Sequence, residues 1–350
     1  MKAIDILLKS STRKFLIKNT KSYNFFVIAL LTILLLFSIA LSISIGSSKI
    51  PLSKIYSVLI KGEEITKEFQ IINYVRIPRT LAATIAGCAL SLSGLILQTV
   101  LNNALAGPSI IGVNSGAGLF TTLIMALFPY YITLMPIAAF VGALIATLLV
   151  YFIAKKTGAS RVTIVLSGVA VSSFIGAITD TILTIWPDTA ISRTSFLIGG
   201  LSGVTMNSIK LPGILVFISF ILVFILSYDM NILSLGDETA KSLGLNVSRY
   251  RFIFIVLSSL LSGSAISFAG LLGFIGLIVP HASRFIAGYD SRLLVPVSAL
   301  LGSLFTLFCD ILSRTLFAPY EVPVGIIMSF LGGPFFIYLL FKQKRRVVDD

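Results

Sequence analysis

Apolar residues run through this chain in long blocks that polar and charged residues interrupt at intervals. Thr80 to Ala154 holds no charged side chain, and Phe252 to Ser283 carries no formal charge either. A helix rising about 1.5 Å per residue needs about 20 apolar residues to cross a hydrocarbon layer of about 30 Å. The first block is long enough for three crossings, and the second is too long for one. Read with their flanks, the blocks predict ten helices, at 24–46, 79–101, 109–128, 134–154, 162–186, 211–228, 252–270, 273–287, 293–313 and 322–341. The segments between them leave no room for an extra soluble domain, so residues 1–350 read as one all-α polytopic membrane domain. Its parts are a cytoplasmic tail at 1–23, an outer interfacial segment at 47–75 and a cytoplasmic segment at 229–251.

Glycine and proline mark some of these helices as irregular. Gly270, Gly273, Gly276 and Pro280 predict a re-entrant break or a tight turn between helices. Gly107-Pro108 and the cluster Gly112, Gly116 and Gly118 do the same in the first half. Backbone freed by such breaks must be satisfied by protein or a water-filled cavity, never by lipid. Paired breaks hint at an inverted repeat relating helices 2–5 to helices 7–10.

Composition agrees with a membrane protein. The 350 residues are 56% hydrophobic and 12% charged, with a mean hydropathy of +1.01. A soluble domain carries about twice that charge. The net charge of +13 reads as topology rather than nucleic-acid binding, because 18 of the 27 lysines and arginines fall on one side. By the positive-inside rule that side is cytoplasmic and holds both termini. The apolar core Phe25–Ile45 exceeds a secretory h-region of about 7–15 residues, so a retained anchor is expected. On the outer side, Lys49 to Lys67 interleave with Glu63, Glu64 and Glu68. Leu52, Ile55, Val58 and Leu59 follow a helical spacing there, which predicts a short surface helix. Arg76, Arg79 and Arg314 have no such balancing run, and each ends a predicted span on the outer side.

Enzyme chemistry has little to stand on. Cys88 and Cys309 fall in apolar segments and read as buried small side chains, and His281 alone cannot build a metal site. No metal, cofactor or catalytic constellation is expected. No Gly-Lys dipeptide occurs, so no phosphate-cradling loop is present. Intramembrane carboxylates are functional candidates by default, which points to Asp180 and Asp310. A helix cap, or Asp310 pairing with Arg314 one turn on, is the simpler account. An ion-coupled secondary carrier using the two as a relay is the competing class.

Three constellations remain. Leu235-Gly-Asp-Glu-Thr-Ala-Lys-Ser-Leu-Gly-Leu245 opens with acids suited to a helix start and reaches Gly244 as a stop. Leu235, Ala240, Leu243 and Leu245 offer apolar contacts while Lys241 stays wet. Gln98, Asn102, Asn103 and Asn114 either bond neighbouring helices or line a path or gate. Arg76, Arg79 and Arg314 either snorkel at helix ends or receive carboxylates from a docking partner, for which guanidinium forks are suited.

Several blocks in order resemble one family from about residue 50 onward. They are Arg76-Ile-Pro-Arg79-Thr80, then Gly94-x-x-x-Gln98-x-x-x-x-Asn103-x-Leu105-Ala106-x-Pro108, and Ile111-Gly-Val-Asn114-Ser-Gly-Ala-Gly118. Gly273-Phe-Ile-Gly-Leu-Ile-Val-Pro-His-Ala-Ser-Arg284, Asp310-Ile-x-x-Arg314, Glu321-Val-Pro-Val-Gly325 and Gly332-Gly-Pro-Phe-Phe336 follow. The set closely resembles the FecCD-type permeases, membrane subunits of ABC importers for iron-siderophores, haem and vitamin B12. That resemblance implies a multi-pass protein of the cytoplasmic membrane that pairs with a second permease subunit, the same or different. It also implies a cytoplasmic ATPase dimer and an extracytoplasmic substrate-binding protein. Arg76, Arg79 and Arg314 would engage glutamates of the binding protein. Gly236, Asp237, Glu238, Ala240, Leu243 and Gly244 would form the helix that couples to the ATPase. An iron-siderophore is the expected cargo, with haem or vitamin B12 as alternatives.

Overall fold

The computed structural model describes residues 21–348, apart from positions 47, 49, 52–53, 55–57, 59–65 and 159. The tail at 1–23, save its last three residues, and the surface-helix positions Leu52, Ile55 and Leu59 lie outside the described residues. The helices in chain order are α1 (Lys21–Ser44), α2 (Lys67–Val100), α3 (Val113–Leu127), α4 (Met135–Lys156), α5 (Arg161–Ile185), α6 (Thr189–Ile198) and α7 (Met206–Ile225). Then come α8 (Ser227–Ser234), α9 (Asp237–Ser242), α10 (Val247–Ala269), α11 (Ile275–Ala287), α12 (Ser291–Thr315) and α13 (Val324–Val348).

Seven of these, α1, α2, α4, α5, α7, α10 and α12, are long and apolar enough to cross a membrane. The shorter apolar helices α3, α11 and α13 fall where the other three spans are expected. Two features depart from the sequence expectation. α2 starts at Lys67 rather than 79, capped by the Thr66 side chain, which accepts from the Phe69 N–H. It stays continuous past Pro78 by widening, with Ile71–Arg76 in π form and the Ile77 N–H reaching Ile72 O five residues back. Proline removes a helical donor, and the wide turn absorbs that loss without a break. The second departure is α6, which stands where a loop is expected. It is a short helix between Pro187 and Gly199, too short to register as a span.

α2 is the most enclosed of the candidate spans and α1 the least. α2 packs on α10, α11 and α12, and α3 packs on α4. The approaches rest on paired glycines: a Cβ on Gly94 would run into the backbone of Gly276. Small residues of this kind let membrane helices approach closely enough for dispersion to hold them. The packing partners mirror one another between the halves. α2 meets α12 as α10 meets α4, and α3 meets α4 and α5 as α11 meets α12 and α13. That is the pattern a repeat of helices 2–5 and 7–10 requires.

Two opposite ends of the bundle emerge. At one, Tyr23 donates to Ile286 O, Arg161 pairs with Asp237, and Asn231 bonds Asp290. All of these belong to segments the charge count assigns to the inside. At the other, Arg79 meets Asp310 and Glu321, and the Gly325 N–H reaches Gly199 O. Those segments are the ones assigned to the outside.

Candidate functional site

The outer end gathers Arg76, Arg79 and Arg314, but all three are buried rather than turned outward. Arg76 donates from Nη1 to Ile43 O and Ser44 O, both at 2.8 Å, and from Nη2 to Ser48 O at 2.6 Å. It thereby satisfies carbonyls that the end of α1 leaves without helical partners. Arg79 Nε meets Asp310 Oδ1 at 2.8 Å while its Nη1 meets Glu321 Oε2 at 2.5 Å. Arg314 Nη2 lies 2.9 Å from Asp310 Oδ2, and the same nitrogen donates to Ser42 Oγ. The Asp310–Arg314 pairing one turn apart is the one the sequence predicts. The inward turn of the guanidinium groups is not, and it follows from the cost of leaving helix-end carbonyls and a buried carboxylate unpaired. Three guanidinium groups face two carboxylates here, and among the described residues Arg76 has no carboxylate partner. Among the described residues the cluster therefore keeps one positive charge without a carboxylate partner.

Of the polar residues in the second and third spans, Gln98 is buried and bridges two helices. Its Nε2 donates to Gly276 O at 3.1 Å and its Oε1 accepts from Arg284 Nη1 at 2.5 Å. Asn102 and Asn103 lie exposed just beyond α2, Asn102 at φ 47°, and the Asn103 side chain accepts from the Leu105 N–H. Asn114 sits half-buried on α3. Arg284 had no assigned role in the sequence, although a lone charge closing a long uncharged run is a readable signal.

At the inner end, Gly236 takes φ +106°, which aims Asp237 into the bundle as α9 begins. Asp237 Oδ1 lies 3.0 Å from Arg161 Nη2, and both its oxygens accept from Arg251 Nη2 at 2.7 Å. Burial raises its pKa, but the bond and charge of Arg251, with Arg161 and Lys241, outweigh that and hold the carboxyl below its ordinary value. Ala240 is fully buried, the Leu245 N–H closes onto Ala240 O, and Gly244 ends the turn at φ +84°. Of the four expected apolar contacts, Ala240 and Leu245 are thus used within the chain. Leu235 and Leu243 stay 59% and 58% exposed. Beside them a groove of about 390 Å³ is lined by Arg161, Val162, Leu235 and Gly236–Thr239, including Glu238.

Asp180 is exposed near the outer end of α5, 3.8 Å from Arg193 of α6. His281 lies edge-on to Phe285. Cys309 is buried, as expected, and Cys88 is half-buried.

The family model described as the FecCD transport family matches residues 34–342. The Fe(3+)-citrate import system permease protein YfmE of Bacillus subtilis is 34% identical, over 97% of this chain and 100% of its own length. The cobalamin import system permease protein BtuC of Halobacterium salinarum is 38% identical, over 79% of this chain and 75% of its own. A solved inward-facing structure of a metal-chelate type ABC transporter superposes with a TM-score of 0.79 at 28% identity, covering 90% of this chain and 99% of that one.

Proposed function

The chain belongs to the FecCD transport family, and on that premise we propose that it passes an iron-siderophore complex across the cytoplasmic membrane. It is a permease of a metal-chelate type ABC importer, a transport subunit rather than an enzyme, and ATP hydrolysis in this family belongs to a separate subunit. In the proposed assembly it pairs with a second permease subunit over a cytoplasmic ATPase dimer, and a binding protein delivers cargo from outside.

The observation that carries this reading is α9. Gly236, Asp237, Glu238, Ala240, Leu243 and Gly244 build a short helix held by the bundle, with Leu235 and Leu243 left uncovered beside Glu238. Exposed leucines on an aqueous face are explained by a protein partner that covers them. The outer cluster supports the binding-protein half of the proposal, because its excess positive charge suits an acidic partner and Arg76, bonded to carbonyls, has no carboxylate partner among the described residues. Gln98, Asn102, Asn103 and Asn114 are proposed to form the inner gate. Gln98 would hold α2 to α11 there, while Asn102 and Asn103 face the aqueous side.

Ferric cargo is favoured because the ferric-citrate permease aligns over 97% of this chain and 100% of its own length. The carrier alternative loses its relay, since Asp310 is held between two guanidinium groups and Asp180 sits apart with Arg193. The test is uptake in cells lacking this gene. Ferric citrate or ferric hydroxamate uptake should be lost and cobalamin uptake kept. The reverse outcome would overturn the cargo assignment.

A further inference from the structure

We infer that Asp237 is a pin that locks the ATPase-facing helix α9 to membrane helices from both halves of the chain, and that this pin sets how much uptake each ATP drives. The inference rests on reading α9 as the ATPase-docking element.

α9 has only six residues, Asp237–Ser242. A helix that short is marginal by itself and cannot transmit a push unless the surrounding chain fixes its orientation. Asp237 supplies that fixation at its first residue. One carboxylate meets Arg161, the first residue of α5, and Arg251, in the second turn of α10. The Arg251 side chain is 4% exposed, against 22% for Arg161 and 34% for Asp237, so the Arg251 contact is the less screened of the two. The hydrogen-bonded Arg251 and the ion-paired Arg161 hold the Asp237 carboxylate from two directions, which constrains rotation as well as position.

The other end of the segment is fixed independently. Asn231 of α8 donates from Nδ2 to Asp290 Oδ1 at 2.8 Å, and its Oδ1 accepts from the Ser291 N–H at 2.8 Å. Asp290 is itself the cap of α12, accepting from the Arg292 N–H. The stretch from α8 to α9 is therefore tied to α12 at one end and to α5 and α10 at the other. α5 is the consequential partner, because Val162, Leu166, Val169 and Phe174 leave one side of it uncovered. A displacement of α9 carried through Arg161 moves a helix that its own bundle only partly encloses.

Glu238 and Asp237 thus divide between two tasks. Both line the open groove, Glu238 beside Leu235 and Asp237 beside Arg161, but Asp237 alone of the two is ion-paired to α5 and α10 among the described residues. Asp237 is a positioning residue whose loss should separate ATP hydrolysis from transport.

The experiment uses the full chain with Cys88 and Cys309 replaced by alanine, and spin labels at Lys241→Cys on α9 and Leu166→Cys on α5. Label distances are read on the chain alone and in the reconstituted complex with its ATPase, where uptake per ATP hydrolysed is also measured. Asp237→Asn should broaden the distance distribution and lower uptake per ATP about tenfold, within the range typical of coupling between sites. Arg161→Lys should keep both near the parent values, and Arg161→Gln should lose part of each. A narrow distribution or unchanged uptake per ATP in Asp237→Asn overturns the pin. If Asp237→Asn does not insert, Arg161→Gln decides by the same criteria. Leu243→Asp probes the docking reading separately: retained ATPase binding there sinks that reading, while the distances on the chain alone still decide the pin.

Discussion

Arg79 and Asp310, 231 positions apart in sequence, meet at 2.8 Å and join the start of the second span to the end of the ninth. Asp310 is fully buried and also faces Arg314, so one carboxylate offsets two guanidinium groups. Breaking a buried pair by removing one partner costs about 3–5 kcal/mol, because the remaining charge stays desolvated. Asp310→Asn should therefore lower the thermal stability of the purified chain far more than Asp180→Asn, whose carboxylate is exposed. Equal melting temperatures for the two variants in detergent would refute the role given to Asp310.

Arg76 offers the cleaner test of outer docking. Reversing Arg314 would also place a carboxylate beside Asp310, which confuses docking with folding. Arg76 bonds neutral carbonyls and a hydroxyl and has no carboxylate partner among the described residues. Arg76→Gln, which removes the charge but keeps an amide that can donate to these carbonyls, should weaken the binding protein at least about tenfold and flatten the salt dependence of its association, as loss of a steering charge does. Affinity measured by surface plasmon resonance that is unchanged at low and high salt removes Arg76 from the dock.

The glycine pair on α2 and α11 is asymmetric. A Cβ on Gly94 collides with backbone of Gly276, whereas a Cβ on Gly276 meets Leu90 O at 3.0 Å and nothing closer. Overpacking costs about 1–3 kcal/mol where the neighbours can shift. Gly94→Ala should exceed Gly276→Ala in destabilisation, since backbone yields less than the extra room at Gly276 requires. Denaturant titration of both variants measures the order, and a reversed order contradicts the packing described for α2.

Acid should release the α9 pin late. The Asp237 carboxyl is held below its ordinary value in the folded chain, chiefly by Arg251 once burial is overcome. A carboxylate with a depressed folded pKa contributes stability that is full above the unfolded value of about 3.9 and is lost as pH falls through the folded value. Labels on α9 and α5 should therefore keep their distance down to about pH 4 and lose it only below. In Asp237→Asn no such acid step should appear. A transition near neutral pH that vanishes in Asp237→Asn would contradict the direction of the shift.

The span pattern was legible because hydropathy is a local property: Thr80–Ala154 and Phe252–Ser283 announce their crossings without reference to anything else. The α9 segment was legible too, since Gly236 and Gly244 bracket it at positions where positive φ is needed. α6 and the outward extension of α2 were not. One is too short to stand out as a span, and the other crosses a proline by a π turn that no pattern encodes.

Among the site residues, the sequence placed Arg76, Arg79 and Arg314 at one end and Asp237 with Glu238 at the other. It could not say where their side chains point. Whether an arginine at a helix end faces water or turns inward depends on which carbonyls and carboxylates the rest of the chain brings within reach. Asp310, Glu321 and the end of α1 arrive at Arg79, Arg314 and Arg76 only through tertiary packing. The same holds for Gln98, for which the sequence left helix bonding and a path role both open, and which bridges α2 and α11 once Gly94 lets α11 approach and Arg284 comes into range. Local hydropathy thus determined the class of this protein and most of its spans, and charge the orientation expected of them. Partner choice among the buried polar groups was decided by the fold, because desolvation makes each of them take whichever complement the packing supplies.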